Sequence, residues 1–508
     1  MAGAATSQRS HSAPSYWFTR FVFLRMLGLV YTVAFAIVVV QWDALLGSQG
    51  LLPASDFLDE VVRVYGHGID AFLRVPTLFW LGASDAWFRA CGWVGLGVSL
   101  ALLCGLANAP MLALLWLLYL SFVHVGQIFY GYGWDILLLE TGFLAIFLVP
   151  PWRPGPFPRE SPPSRAVIVL LRWLTLRLML GAGLIKLRGD SCWRDLSCLI
   201  FHYETQPNPN PFSWYFHHLP VWFHELEVLF NHFVELVAPL FVFGPRRLRL
   251  AAGLSIIGFQ VLLILSGNLS FLNWLTITVA IGCLDDGAFR PFVPAGWLAR
   301  LDAAVAGARE SGARRITGYA LAALVALLSV NPVVNLLSPG QLMNAGFDPF
   351  DLVNTYGAFG SITRQRFEIV LEGTADDPSD PGARWVEYEF ECKPGAPSRR
   401  PCWISPYHLR LDWQMWFLAM PGAGRDAWFV HLVAKLLDGD PETRRLLAPG
   451  PFEAQPPRAI RARYYAYHFT PSLASRDWWE RRLVAEYLPP LERADPRLVE
   501  FLRREGWR

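Results

Sequence analysis

Nine separate apolar runs constrain this chain more than any other feature. They cover roughly 19–41, 87–107, 109–129, 134–150, 166–187, 221–243, 250–266, 269–284 and 316–336. A helix needs about 20 apolar residues to cross ~30 Å of hydrocarbon, and each run reaches or approaches that length. So many apolar segments predict an α-helical polytopic membrane bundle of about nine transmembrane helices. The composition agrees, because only 17% of residues are charged while 53% are hydrophobic, against about 25% charged in soluble domains. A net charge of +2 excludes a broadly basic nucleic-acid binder, and a 14% aromatic share excludes a disordered chain. Residues 1–18 form a polar tail. The run after them is too long for a signal-peptide core, so a retained anchor is expected there. The stretch 70–83 reads as an amphipathic surface segment.

Charge in the connecting loops sets the orientation. With a cytoplasmic N-terminus, the inner segments hold 12 Lys/Arg: Arg9, Arg153, Arg159, Arg165, Arg246, Arg247, Arg249, Arg290, Arg300, Arg309, Arg314 and Arg315. The outer loops hold 4, namely Arg63, Arg74, Arg188 and Arg194. This bias is the positive-inside pattern, and it puts residues 337–508 outside. Two cysteine pairs fall on that side, Cys192 with Cys198 and Cys392 with Cys402. Each pair has the spacing of a short-loop disulfide in an oxidising compartment. Neither has a second pair beside it, so no metal site is expected.

After Asn331-Pro332 the pattern changes. Alternating runs at 366–372, 385–391 and 461–469 predict strands with one wet face, and 426–438 and 474–487 predict helices. The chain therefore divides into a bundle over 19–340, a small β-rich outer-facing domain with a few helices over 345–490, and a charged tail over 491–508.

Polar side chains inside membrane helices are costly and mark candidate sites. The sixth run is the most polar. His224, Glu227, Asn231 and Glu235 share one helical stripe, with Glu225 and His232 beside it. Asp135 and Glu140 lie on the fourth run, Arg172, Arg177 and Lys186 on the fifth. Depth matching pairs Arg177 with Glu235 near mid-membrane. The outer loop 188–220 adds His202 and Glu204. Structural pairing of helices accounts for all of these groups as readily as a working site does. No P-loop, GxSxG, HExxH or dinucleotide fingerprint occurs, and no cofactor is expected.

Several long strings resemble a known family. These are Ile185 to Trp193, His202 to Pro207, Trp214 to Pro220, Asn354 to Gly360, Pro401 to His408 and Arg410 to Phe417. In that order they are similar to the lipase maturation factor family, over about Tyr16 to Trp479. The resemblance implies a multi-pass membrane protein of the endoplasmic reticulum, or of the plasma membrane with a periplasmic outer domain in a bacterium. It implies a chaperone-like role in bringing secreted dimeric lipases to an active fold, with a lipase-type client on the C-terminal domain and the bilayer as the other partner. Trp403, Trp413 and Trp416 are the candidate client contacts, although a packed core explains tryptophans equally well.

A second resemblance is shorter. Gly181 to Leu187 followed by Trp193 is similar to a stretch of vitamin K-dependent carboxylase-type membrane domains in which a lysine acts as a base. On that alternative Lys186 is the base of a membrane enzyme, with His202 and Glu204 as further candidates. A transporter reading finds neither repeated halves nor matching broken helices.

Overall fold

The computed structural model describes residues 14–507 apart from 153–154, 156–160, 309, 423–425, 451, 473 and 475. Arg9, Arg153, Arg159 and Arg309, counted above for orientation, and most of the 1–18 tail lie outside the described residues. Helices occupy all nine apolar runs: α1 Trp17–Leu46, α2 Asp85–Cys104, α3 Ala109–Val125, α4 Gly133–Ile146, α5 Arg165–Arg188, α6 Val221–His232, α7 Arg246–Ser266, α8 Leu272–Ala280 and α9 Gly312–Leu328. Among the described residues, five helices are long and apolar enough to cross a membrane: α1, α2, α5, α7 and the segment Gly312–Leu337 that contains α9. α3 and the segment Leu272–Cys283 are apolar but shorter.

Local chemistry fixes several helix ends. The backbone N–H groups of Trp17 and Phe18 donate to Asp286 at 3.0 and 2.8 Å, which gives the start of α1 a carboxylate cap. Ser84 and Asn108 cap α2 and α3 with their side chains. α1 packs closely on α2 at Gly28, where a Cβ would sit 2.7 Å from the Leu103 nitrogen. Small residues permit this approach between membrane helices. Beyond α6 the helix widens into a π-turn at Phe233–Val237, then tightens at Ala238–Phe241. Pro239 lies in that last turn, and its missing N–H disrupts the regular ladder there.

The amphipathic stretch 70–83 forms the short helices Ile69–Arg74 and Leu78–Leu81. It follows a helix at Ala54–Tyr65 that periodicity did not flag.

The C-terminal part contains two small sheets. β1 (Ala345–Gly346) pairs with β2 (Asn354–Thr355), and a four-stranded antiparallel sheet has the order β4-β3-β5-β6. Its strands are β3 Arg366–Thr374, β4 Val386–Glu387, β5 Ala459–Phe469 and β6 Trp479–Glu492. The expected strand over 385–391 shrinks to β4 plus one bridge from Phe390 to Leu447. The expected helix over 474–487 is corrected outright, because from Trp479 onward this stretch belongs to β6. Its Arg, Leu, Ala and Glu residues favour a helix locally, but ten paired positions against β5 override that preference. The expected helix over 426–438 is present as α11 (Ala427–Asp438), preceded by α10 (Arg410–Leu418). Within the charged segment 491–508, α12 (Pro496–Arg504) buries Leu498 and Leu502.

One hydrophobic core runs through both parts. Tyr132 stacks on Trp134 at 4.5 Å, and Trp134 meets Trp413 of α10 at 4.9 Å.

Candidate functional site

Among the described residues, most of the intramembrane polar candidates fall in three separate clusters, two of them completed from the C-terminal part, while Arg172 lies apart and donates to the Gly282 carbonyl at 2.9 Å and the Tyr16 hydroxyl at 3.0 Å. In the first, Asp135 at the start of α4 receives Arg410 of α10. The guanidinium donates to the two carboxylate oxygens at 3.0 and 3.1 Å, and the Tyr119 hydroxyl donates at 2.5 Å. Neither side chain of the pair touches solvent. Arg410 also lies 3.4 Å over the Tyr130 ring, and its backbone N–H donates to Gln41 of α1 at 3.0 Å.

In the second cluster, Glu140 of α4 pairs with Arg177 of α5. The strand β2 and the residue after it close around them: Asn354 N–H and Tyr356 OH donate to Glu140 at 3.0 and 2.7 Å, and Arg177 donates to the Asn354 carbonyl at 2.5 Å. Gly181 of α5 lies flush against the Tyr356 carbonyl, leaving no space for a Cβ. The expected Arg177–Glu235 pair is therefore corrected, because β2 holds Arg177 beside Glu140.

The third cluster contains Lys186. Its ammonium donates to Glu235 at 2.6 Å and to Asn231 at 2.9 Å, while Asn231 donates back to Glu235 at 3.0 Å. The Trp193 ring lies 4.9 Å from the ammonium. The π-turn carries Glu235, so α6 and its continuation present Asn231 and Glu235 to Lys186 together. Glu227 and His224 form a neighbouring pair at 3.2 Å, with Tyr203 OH donating to Glu227 at 3.0 Å. Glu225 is exposed. The side-chain partners of Lys186 among the described residues are therefore Glu235 and Asn231.

The loop residues divide between structure and cavity. Glu204 accepts from Phe469 N–H at 2.6 Å and from His468 at 3.3 Å, which ties loop 188–220 to the end of β5, and burial raises its carboxyl above the usual range. Arg366 donates to the carbonyls of Glu204, Gln206 and Pro207 and ion-pairs with Glu368, reinforcing the same seam. Asp190 receives Arg364 at 2.7 and 2.8 Å, and those bonds hold its carboxyl low, at about 2. Cys192 is bonded to Cys198 and Cys392 to Cys402, with Cα separations of 4.7 and 5.5 Å. The described residues contain no group of three metal-ligating side chains.

His202 is different. It is 6% exposed, and its ring meets Phe359 at 4.9 Å without a hydrogen-bond partner among the described residues. Burial, with Lys186 adding repulsion, lowers its pKa to about 4 and keeps it neutral. It borders a cavity of about 800 Å³ between α5, α6, α7, α8 and the segment 343–361, with Trp413, Trp416 and Phe417 of α10 on one wall. Lys186, Glu227, Asn231 and Glu235 also line it.

The tryptophans singled out from the sequence fall in different settings. Trp413 is 4% exposed and packs on Trp134. Trp416 is half-buried and donates to the Thr205 carbonyl at 3.0 Å. Trp403 is 43% exposed and meets Phe212, which is exposed next to the exposed Tyr215.

Sequence reasoning missed Arg410, Asn354 and Tyr356 as partners of the buried carboxylates. Each lies within a string that carried the family resemblance, and that was the one available signal.

An apolar helical bundle whose buried charges pair partly among its own helices and partly with a following small-sheet domain defines a polytopic membrane protein with an integrated C-terminal module. Comparison with known proteins names its family. Residues 18–291 match the lipase maturation factor transmembrane domain, and residues 352–489 match the lipase maturation factor C-terminal domain. Lipase maturation factor 1 of Bos taurus is 48% identical over 96% of this chain and 91% of its own length. The Mus musculus protein of that name is 46% identical over 99% and 92%. Lipase maturation factor 2 of Homo sapiens is 32% identical over 96% and 84%. The chain belongs to the lipase maturation factor family. No solved structure matches it.

Proposed function

We propose that this protein is a membrane-embedded maturation factor that assists the folding and assembly of secreted lipases or related hydrolases. The observation that carries this reading is the likeness to lipase maturation factor 1 across nearly the whole chain, which takes in both matched domains. Nine crossings with a cytoplasmic N-terminus put residues 337–508 in the lumen of the endoplasmic reticulum, or in the periplasm of a bacterial host. Both disulfides then lie on the oxidising side, which supports that orientation. The units are the bundle 19–340, the outer domain 345–490 and the charged segment after it.

Client contact falls to Trp403 with Phe212 and Tyr215, because these rings are open to the outer side while Trp413 and Trp416 are engaged internally. A photo-crosslinking amino acid placed at 403, with the full chain co-expressed with a secreted lipase, tests this. A lipase adduct from position 403, absent when the same group replaces lipid-facing Leu254, supports the reading. Equal adducts from both positions, or none from either, overturns it.

A further inference from the structure

The 800 Å³ cavity lies within the size range of ligand sites, about 300–1,000 Å³, and far exceeds the space of a few waters at ~30 Å³ each. Its walls are mostly apolar: Leu178, Met179, Ala182, Ile185, Phe259 and Leu263 are representative. Its rim includes Leu226 of α6 and Leu262 of α7, which are 54% and 45% exposed. Those helix faces continue outward as exposed Leu229, Phe233, Leu254 and Leu265. In a membrane-spanning chain such faces contact acyl chains, so the cavity mouth opens onto lipid and not only onto water.

The inner end is polar. Lys186, Asn231 and Glu235 form one group, Glu227 lies beside them, and His202 lines the space with no side-chain hydrogen-bond partner among the described residues. That ring can therefore donate to or accept from a ligand in the chamber it lines. The charge balance selects the ligand class. Lys186 is already matched by Glu235, and Glu227 contributes a further carboxylate. Glu227 is itself engaged by His224 and Tyr203, so a phosphate or carboxylate head would find two carboxylates and no unpaired cation among the described lining residues.

We propose that this cavity binds one neutral membrane lipid of the acylglycerol class, entering between α6 and α7. Its hydroxyl and ester oxygens reach His202 and the Lys186–Asn231–Glu235 group, and its chain trails through the Leu226–Leu262 mouth into the bilayer. The site depends on the membrane setting and not on the identity of any protein client, so it stands or falls separately from the maturation role.

The test uses the full chain in phosphatidylcholine nanodiscs, with photoreactive diacylglycerol and phosphatidic acid carrying the same diazirine acyl chain. Crosslinked peptides are mapped by mass spectrometry. The diacylglycerol probe should label residues 178–193, 226–235 or 259–276 about tenfold more than the phosphatidic acid probe does. Ala182→Phe, which fills the chamber, should lower that labelling about tenfold. Leu226→Trp adds bulk at an exposed rim position and tests the same point without burdening the core, while Leu254→Trp, outside the cavity, should leave labelling unchanged. Unlabelled monoacylglycerol should compete. Labelling that ignores Leu226→Trp reports annular lipid only and overturns the assignment. So do equal labelling by phosphatidic acid and competition by a sterol but not by monoacylglycerol.

Discussion

Replacing Arg410 by methionine removes the guanidinium from between α10 and the bundle. Asp135 then loses its two bonds of 3.0 and 3.1 Å and keeps only the Tyr119 hydroxyl at 2.5 Å among the described residues. Because neither partner is solvent-accessible, water cannot take the place of the lost donors. Breaking one side of such a pair costs ~3–5 kcal/mol, most of it the penalty of an unpaired buried charge. Removing both charges with Arg410→Met and Asp135→Leu should return most of that loss. The remaining deficit is about 1–3 kcal/mol for the stranded Tyr119 hydroxyl, which Tyr119→Phe then recovers. The assay is an unfolding titration of the detergent-solubilised full chain with a denaturing detergent, followed by tryptophan fluorescence. A double-mutant cycle should give a coupling of ~2 kcal/mol or more between positions 135 and 410. A single-mutant loss below ~1 kcal/mol, or strictly additive effects, refutes the view that the C-terminal part is held to the bundle by this pair.

Other consequences follow from the same contacts. His202, His217 and His431 are lowered to about 4 by burial, and burial also holds His408 well below the usual imidazole range. Their folded pKa values lie below the unfolded ~6.5, so their stabilising effect is full above pH 6.5 and is lost as pH falls towards 4, at up to ~1.4 kcal/mol per pH unit each. Between pH 7.5 and 4.5 the melting temperature of wild type should therefore fall more steeply than that of His202→Phe, and parallel curves contradict the assignment. Replacing both Cys392 and Cys402 by alanine opens a short loop beside the Asn268 contact and should cost ~2–4 kcal/mol in the same detergent titration; an unchanged midpoint would argue against the bond. Gly28→Val forces α1 away from the Leu103 backbone and should cost ~1–3 kcal/mol, whereas Gly97→Val, with nothing within 4 Å of its Cβ position, should cost under ~1 kcal/mol. Asn268 belongs to the sequon Asn268-Leu269-Ser270, but it is buried and accepts from Ile404 and Ser405 N–H, so glycosidase treatment should leave the electrophoretic mobility unchanged.

The helices of the bundle were legible because apolar run length is a local property of the chain. β5 was legible for a similar reason, since its alternation survives within eleven residues. β6 was not, because Arg481 to Leu488 is built from helix-favouring residues and its strand state is imposed by pairing with β5. The polar clusters show the same division. That Asp135, Glu140, Arg177, Lys186 and Glu235 require partners follows from burial cost alone. Which partner each finds does not, because Arg410 lies 275 residues from Asp135 and Tyr356 lies 216 from Glu140. Depth matching gave Arg177 to Glu235, and the arrival of β2 at Glu140 reverses that choice. The cavity left no mark in periodicity, because its lining is drawn from α4 to α8, the 343–361 segment and α10. Only the polarity of the sixth run and of the His202 loop pointed towards it.

The integrated architecture also affects how the function should be tested. A chain ending near residue 340 loses Arg410, Asn354 and Tyr356, which leaves Asp135 without its ion-pair partner and Glu140 with Arg177 but without the Asn354 and Tyr356 hydrogen bonds. Loss of activity on truncation therefore cannot separate client binding from misfolding. The most direct measurement is secretion of active lipase from cells lacking their own lipase maturation factors and supplied with this full-length chain. The account predicts restored lipase activity in the medium with wild-type protein and a marked reduction with Trp403→Arg at equal abundance. Lipase activity no higher than in cells without the chain, with the protein folded and correctly inserted, would contradict it.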